Sequence, residues 1–246
     1  MGEFFHAVLY IPIFNLLVFL YDVIPGADIG FAIIALTILI KAILWPFMSQ
    51  SLKSQKALQE LQPKIEELKQ RHGSDREALA KAMMELYQKE KVNPLASCLP
   101  LLIQLPVLIA LYQVLLAGFG PETLSQLYPF VDHPGTIEHV FLGVIDLSVA
   151  SLYLAVLAGY FQFFQTRMLM HRQPPKPPGK GITKGALDEN MLASMNKSML
   201  MFMPAITVII GATLPAGLTL YWVTVNIVSI LQQQFVFSKI RNPQVN

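Results

Sequence analysis

One stretch of sequence decides the fold: residues 29–48 read IGFAIIALTILIKAILWPFM, and Lys41 is the only formal charge among them. About twenty apolar residues can cross a hydrocarbon core of about 30 Å as a helix. An ammonium near the middle of such a helix costs about 2.5–3.5 kcal/mol, so it usually faces protein or water. One interpretation is that the Lys41 stem snorkels toward the membrane surface. We favour the other, a functional lysine in contact with water.

The remaining sequence is also strongly apolar. Hydrophobic residues make up 54% of the chain, charged residues only 14%, and the mean hydropathy is +0.49. This composition is typical of membrane proteins with several spans. Beyond residues 29–48, apolar runs predict spans at about 95–117, 147–169, 198–214 and 216–237. The only cysteine, Cys98, excludes an intramolecular disulfide.

The distribution of Lys and Arg predicts the orientation in the membrane. Of the 18 Lys and Arg residues, all but Lys41 lie within 53–91, within 167–197 or near the C-terminus. Residues 1–30 and 118–146 carry acidic residues and neither Lys nor Arg. Because cytoplasmic loops are enriched in Lys and Arg, the basic segments are predicted to be cytoplasmic. Five spans that begin outside the cell then satisfy every loop and leave the C-terminus in the cytoplasm.

The first apolar run, residues 4–24, is less regular than the others. It contains or adjoins several polar or helix-breaking residues: Glu3, His6, Pro12, Asn15 and Asp22. It could cross the membrane as a sixth helix, with the N-terminus inside. We predict instead that residues 1–28 form an amphipathic helix in the outer interface, with the N-terminus outside. The transmembrane core would then comprise residues 29–246.

Residues 50–92 form the only substantial polar segment of the sequence. Helical periodicity predicts two amphipathic helices, Lys64–His72 and Glu77–Lys91, separated by a turn. Ser74, followed three residues later by Glu77, matches a capping box at the start of the second helix. The segment is predicted to be a cytoplasmic helical hairpin, which serves either as a solvated spacer or as a docking or gating lid.

Polar residues recur at helical spacing on one face of several predicted spans. In a single helix such a stripe usually bonds to a neighbouring helix. Four helices share the pattern here and one of them carries Lys41, so a common polar cavity explains them better. Most of these residues lie near the predicted cytoplasmic ends, where the cavity should open. The stripes include Thr37, Lys41, Trp45, Gln104, Gln162, Thr219, Trp222, Asn226, Ser229 and Gln233.

The sequence offers little support for catalysis. It contains no Gly-rich phosphate loop, no HExxH motif and no pair of carboxylates within a predicted span. The histidines are scattered over loops and helix ends and do not cluster as metal ligands. We therefore predict no enzymatic activity, no catalytic residue, no metal site, no cofactor and no specific nucleic-acid partner.

Four groups of residues have a familiar pattern: Leu36–Lys41 with Pro46, Leu61–Ile65, Cys98–Tyr112, and Pro215–Trp222 with Asn226, Gln232 and Gln233. In this order, over residues 30–233, they resemble the YidC/Oxa/Alb family of membrane protein insertases in its short bacterial form. The resemblance implies a multi-pass all-α protein of the bacterial plasma (inner) membrane. It also implies five transmembrane helices around a hydrophilic groove that is open to cytoplasm and lipid, and a flat outer helix before the first span.

The resemblance further implies which residues line the groove. The family usually has Arg where this chain has Lys41. Lys keeps the positive charge but lacks the planar guanidinium, which can donate two parallel hydrogen bonds to one carboxylate. Gln104 and Trp222 fall on positions of the family pattern. On the third span either Gln162 or Gln165 could be the groove glutamine, and Gln165 fits the local pattern better. The predicted substrate groove comprises Thr37, Lys41, Gln104, Gln165, Thr219, Trp222 and Asn226.

The resulting hypothesis is a membrane protein insertase or chaperone. It receives nascent hydrophobic segments in a positively charged groove and releases them sideways into the lipid bilayer. The ribosome, the signal recognition machinery and the Sec translocon are further candidate partners. The alternative is a small-solute transporter or channel that uses Lys41 as an anion site, although the internal repeats and paired intramembrane charges common in transporters are missing. A non-catalytic assembly factor for membrane complexes would overlap with the first hypothesis.

Overall fold

A computed structural model describes residues 2–26, 28–72, 75–93, 95, 99–170 and 202–241. Within these residues the predicted helical fold is confirmed. The helices are α1 (Glu3–Val23), α2 (Ile29–Ile43), α3 (Trp45–Glu60), α4 (Gln62–His72), α5 (Arg76–Lys89), α6 (Leu99–Ala117), α7 (Pro121–Leu124), α8 (Leu152–Met170), α9 (Phe202–Gly211) and α10 (Ala216–Arg241). Two short strands, β1 (Val140–Phe141) and β2 (Ile145–Asp146), pair in an antiparallel hairpin that the sequence did not predict.

The apolar character of the helices is uneven. By length and hydropathy, α1 is the only described helix that could cross a membrane by itself, and the bent pair α2–α3 qualifies if it counts as one span. Helices α6 and α9 hold shorter apolar stretches. Helices α8 and α10 are long, but their many polar side chains lower the mean hydropathy. The number of five spans stays a prediction, and the run at 198–214 begins outside the described residues.

Large apolar side chains nevertheless cover the outside of the helix bundle, and α8 shows the pattern most clearly. Exposed side chains recur along it at steps of three and four: Tyr153, Leu157, Tyr160 and Phe164. Its opposite face buries Leu154, Ala155 and Ala158. Proteins surrounded by water rarely expose apolar patches of this extent. The surface is suited to contact with lipid.

Helices α2 and α3 meet at Leu44 with a bend of 65°. Pro46 explains the bend. In the first turn of a helix its missing N–H is tolerated, whereas in the interior its ring would clash with the carbonyl one turn earlier. The predicted span over 29–48 is therefore not one straight helix. Gln232 of α10 fixes the joint, because its side-chain amide donates to the Trp45 carbonyl at 3.2 Å.

Helix α1 is tied to the loop that follows α6 by buried polar side chains. The Asn15 amide donates to the Gln126 carbonyl at 3.2 Å and accepts from the Tyr128 N–H at 2.6 Å. The Tyr21 hydroxyl accepts from the Glu138 N–H at 3.3 Å. Both side chains are buried, so these bonds replace the contacts with water that they would otherwise lose. Helix α1 thus packs beside the loop that is predicted to lie outside; its interfacial position stays a prediction.

The β1–β2 hairpin covers the end of the bundle at which α2 begins. The Asp28 carboxylate caps α2 by accepting from the Gly30 N–H at 2.7 Å, and it also accepts from the Leu142 N–H of the hairpin turn at 2.8 Å. The Phe141 ring lies against Gly30, where an added Cβ atom would clash with the ring. A residue without a side chain is needed at this contact. The hairpin and α2 therefore form one closed end of the bundle.

Helices α4 and α5 form the predicted helical hairpin at the other end of the bundle. Their bounds, Gln62–His72 and Arg76–Lys89, lie within two residues of the predicted ones. An ion pair between Lys64 and Glu90 joins the two arms and holds the pKa of the Glu90 carboxyl below its usual range. Because this pair is exposed, it contributes little stability. Packing of the apolar stripes must therefore hold the arms together.

The predicted cap of α5 is wrong. The N-cap residue is Asp75, whose carboxylate accepts from the backbone N–H groups of Glu77 and Ala78 at 3.0 Å each. Asp and Ser cap helices about equally well, and the Asp carboxylate also interacts favourably with the positive end of the helix dipole. Ser74 was predicted because it matches the pattern Ser-x-x-Glu, although the next residue, Asp75, is an equally good N-cap residue. Ser74 itself lies outside the described residues.

Candidate functional site

A cavity of about 480 Å³ lies among α2, α3, α6, α8, α9 and α10. We call it the groove. Its apolar wall includes Met48, Leu52, Leu105 and Val225. Its polar wall consists of amides, hydroxyls, an indole and one ammonium, from Lys41, Gln55, Gln104, Gln162, Gln165, Thr207, Trp222, Asn226, Ser229, Gln232 and Gln233.

The groove lies toward the end of the bundle that carries the α4–α5 hairpin. Its wall continues past Lys41 onto Met48, Leu52 and Gln55, which follow each other along one face of α3. No lining residue comes from the described loop between α6 and α8. On that side the apolar core closes the bundle with fully buried side chains such as Leu36, Leu111 and Val114. Among the described residues, the groove thus extends toward one end of the bundle.

Lys41 projects from α2 across the bundle. Its side chain is 5% exposed, and its Nζ donates to the Ser229 hydroxyl of α10 at 2.8 Å. No carboxylate of the described residues lies within 4.0 Å of this ammonium. The side chain therefore does not run along α2 to the surface, as snorkelling would require. An ammonium without an ion pair gives this part of the groove a positive potential.

Three of the six glutamines that line the groove come from α6 and α8. Gln104 of α6 donates to the hydroxyl of Tyr221 on α10. Gln162 of α8 accepts from the hydroxyl of Thr207 on α9. Gln165 lies on the same face of α8 and also lines the groove. Both candidates for the groove glutamine of α8, Gln162 and Gln165, thus line the groove. Only the Gln162 bond described above joins α8 to α9 within the described residues.

Helix α10 supplies the longest polar stripe. Trp222, Asn226, Ser229 and Gln233 recur at steps of three and four and all line the groove. The Asn226 amide donates to the Ala158 carbonyl of α8 at 3.1 Å, which fixes the two helices to each other. The Gln233 Oε1 atom is buried and has no hydrogen-bond partner within the described part of the chain. An unpartnered buried acceptor is costly, so water or a bound donor is expected beside Gln233.

Two predicted groove residues do not line the groove. Thr37 and Thr219 are fully buried, and their hydroxyls donate to backbone carbonyls, of Ile33 at 2.6 Å and of Gly211 at 3.2 Å. The first is the common bond of a helical Thr to the carbonyl one turn earlier. The structure therefore brings together five of the seven predicted residues, namely Lys41, Gln104, Gln165, Trp222 and Asn226.

Other parts of the groove wall were not predicted from the sequence. Ser229 and Gln233 were recognised as members of a stripe and left out of the predicted site. Gln55 had a usable signal, because it lies seven residues after Met48 on the same helix face. Thr207 had none, since its role depends on the packing of α9 against α8.

The chemistry of the groove is that of binding. It offers amide and hydroxyl donors and acceptors, one cation and several apolar side chains. The described residues contain no group of His, Cys, Asp or Glu that could hold a metal ion. Such a wall can accept a peptide segment that is apolar over most of its length and carries polar or acidic groups at one end.

A family model described as 60Kd inner membrane protein matches residues 19–243. Among curated proteins, a "Membrane protein insertase YidC" of Shewanella halifaxensis is 36% identical over 233 residues, which are 94% of this chain and 37% of that protein. Another of the same name, from Anaeromyxobacter sp., is 40% identical over 215 residues, which are 87% of this chain and 33% of that protein. This chain therefore spans about a third of the length of these relatives.

A solved structure, "Active YidC insertase crystal structure with the first transmembrane domain resolved", has a similar fold. The alignment has a TM-score of 0.56 and 23% sequence identity, and it covers 94% of this chain and 46% of the other. The two proteins thus share a fold.

Proposed function

Since this chain belongs to the 60Kd inner membrane protein family, we propose that it is a membrane protein insertase that receives substrates in the groove and releases them into lipid. The observation that supports this proposal most strongly is the burial of the Lys41 ammonium in the wall of a polar groove, where no described carboxylate pairs with it. Burying a charge is expensive unless something pairs with it. A substrate that brings a negative charge would offset that cost.

In the proposed mechanism the substrate is a nascent chain with an apolar segment and a short polar or acidic end. The end enters the groove, where Lys41, the glutamines and water replace its hydration. The apolar segment then moves sideways into lipid. Burial of apolar surface, at about 25 cal/mol per Å², drives this step, so no nucleotide site is required.

The proposed topology has α2, α6, α8, α9 and α10 as the five spans, with the α4–α5 hairpin in the cytoplasm. Helices α8 and α10 carry polar side chains toward the groove and apolar ones outward, which is the expected composition of helices that face both water and lipid. The groove would then open to the cytoplasm. The outer end would be closed by the apolar core and the β1–β2 hairpin.

A channel or transporter is the second candidate. It would need a path that crosses the whole bundle. The apolar core beyond Leu36 argues against such a path in the described part of the chain. We therefore retain the insertase as the better proposal.

A depletion experiment tests the proposed function. We expect this chain, produced in a bacterium depleted of its own insertase, to restore the insertion of a reporter with one apolar segment and a short acidic translocated end. Protease protection of that end measures insertion. An empty vector provides the baseline. If the reporter stays unprotected while solute uptake changes, the transporter is the correct function.

Cysteine labelling tests the proposed topology. After replacement of Cys98 with Ser, we expect Thr136→Cys to react with an impermeant maleimide in intact cells and Lys180→Cys to react only after permeabilisation. The expectation follows from the positive-inside rule, because residues 118–146 lack Lys and Arg and residues 167–197 are rich in them. The reverse pattern would contradict the orientation and would put the mouth of the groove outside.

A further inference from the structure

A second cavity, of about 440 Å³, lies on the outer surface of α8 and α10. It shares no lining residue with the groove. Five of its seven lining residues are aromatic or aliphatic, and the other two, Arg167 and Gln234, lie toward the C-terminal ends of α8 and α10 and form its polar edge. We call it the lateral pocket; its lining residues are Tyr160, Phe161, Phe164, Arg167, Met168, Ile230 and Gln234.

The wall of the lateral pocket belongs to the face of α8 that points away from the bundle. Tyr160 is 55% exposed and Phe164 is 43% exposed, and their ring centroids are 4.8 Å apart. Phe161 adds a ring edge-on to Tyr160, at 5.5 Å. Exposed rings that form a concave wall can hold a flexible apolar chain and lose little entropy of their own. This wall has the shape and polarity to bind an acyl chain.

The polar edge of the pocket lies at a definite level of the bundle. Arg167 follows Phe164 by one turn of α8, toward the end at which Gln59 of α3 donates to the Leu169 carbonyl at 2.9 Å. The edge is therefore on the side of the α4–α5 hairpin. Arg167 is exposed and forms no ion pair within the described residues. Its guanidinium has the planar fork of donors that matches a phosphate group.

We propose that the lateral pocket binds an anionic phospholipid, with the phosphate on Arg167 and Gln234 and one acyl chain along the rings of α8. Along the pocket the cation lies nearer the α4–α5 hairpin and the apolar rings lie farther from it. A phospholipid at a membrane surface has the matching order, with its phosphate at the surface and its acyl chains deeper. Basic pockets between transmembrane helices on the cytoplasmic side are suited to anionic head groups. The assignment rests on the proposed topology but not on the insertase activity, because it uses no residue of the groove.

The test uses the full chain, purified in a mild detergent and mixed with phosphatidylglycerol, phosphatidylcholine or glycerol phosphate. Native mass spectrometry measures how many lipid molecules stay bound. One cation near a head group favours an anionic lipid by about 1 kcal/mol, which is roughly fivefold. We expect phosphatidylglycerol to be retained about fivefold more than phosphatidylcholine, and glycerol phosphate, which lacks acyl chains, not to be retained.

Two variants and a matched control locate the site. Arg167→Gln should abolish the preference for phosphatidylglycerol, and Ile230→Trp, which fills the pocket, should reduce retention of both lipids. Lys239→Gln removes a cation of α10 that lies over the Phe235 ring, outside the pocket, and should leave retention unchanged. Equal retention of the two lipids by the unaltered chain, or an unchanged preference in Arg167→Gln, would overturn the proposal. So would an equal loss in Lys239→Gln, which would indicate attraction to the surface as a whole.

Discussion

Replacing Lys41 with alanine should slow the insertion of substrates with an acidic translocated end by about tenfold or more. Lys41 is the only cation in the wall of the groove and has no carboxylate partner within the described residues. Without it, an acidic end would enter a groove that supplies only neutral amides and hydroxyls. A tenfold loss of rate corresponds to about 1.4 kcal/mol, well within the interaction of two charges near a protein surface. Protease protection of the reporter end over time measures the rate.

Lys41→Arg is the matched control, because it keeps the charge and changes the geometry. It should insert the same reporter at nearly the normal rate, since the proposed role is positive potential and not a fixed fork of donors. A reporter with a neutral end should be much less affected in Lys41→Ala. If the alanine and arginine variants support insertion equally well at equal protein levels, the electrostatic part of the mechanism is wrong.

Replacing Gly159 with leucine should force α8 and α9 apart and should strongly lower the melting temperature of the protein. A Cβ atom at Gly159 would clash with a methyl group of Val208 and would lie 3.0 Å from the Pro204 carbonyl oxygen. Small residues let transmembrane helices approach closely, and a large side chain at such a contact forces them apart. Overpacking costs about 1–3 kcal/mol, and a whole leucine side chain lies at or above that range. Thermal unfolding in detergent measures the effect.

A paired substitution separates this contact from a general effect of changing a glycine. Gly159→Ala should lower the melting temperature less than leucine does, and adding Val208→Ala should restore part of the loss because it removes the nearer clashing atom. The control is Gly120→Ala, since a Cβ atom at Gly120 meets nothing within 4 Å. A double variant no more stable than Gly159→Ala alone would contradict the packing described for α8 and α9.

Much of the groove could be predicted from the sequence because helical spacing fixes which side chains share a face. Trp222 and Asn226 belong to a stripe at helical spacing, Trp222 also falls on the family pattern, and Lys41 follows from the cost of an unpaired charge among apolar residues. Spacing does not show which group a polar side chain uses as its hydrogen-bond partner. Thr37 has the right spacing, yet its hydroxyl bonds to its own helix, an option that Thr has and Gln does not share to the same degree.

Other features depend on contacts that are distant in sequence. Asn15 was interpreted as a sign that the first helix avoids the membrane interior, and its amide turns out to bind the backbone at Gln126 and Tyr128. The β1–β2 hairpin has a Leu142-Gly143 turn with both residues at positive φ, which the sequence does not signal as strongly as an Asn-Gly pair would. The bend at Leu44 did have a signal, since Pro46 restricts the helix wherever it occurs.

The single bond between Lys41 and Ser229 has a consequence for how long a substrate stays. An ammonium has three donors, and Ser229 occupies one of them in the described part of the chain. An incoming carboxylate can therefore be accepted without displacing a resident anion, and after it leaves the ammonium still donates to the Ser229 hydroxyl. If a resident carboxylate were already paired with Lys41, separating that pair to admit a substrate would cost about 3–5 kcal/mol at each cycle. A site of this kind favours brief occupancy and repeated use over tight retention, as the proposed release of substrates into lipid requires.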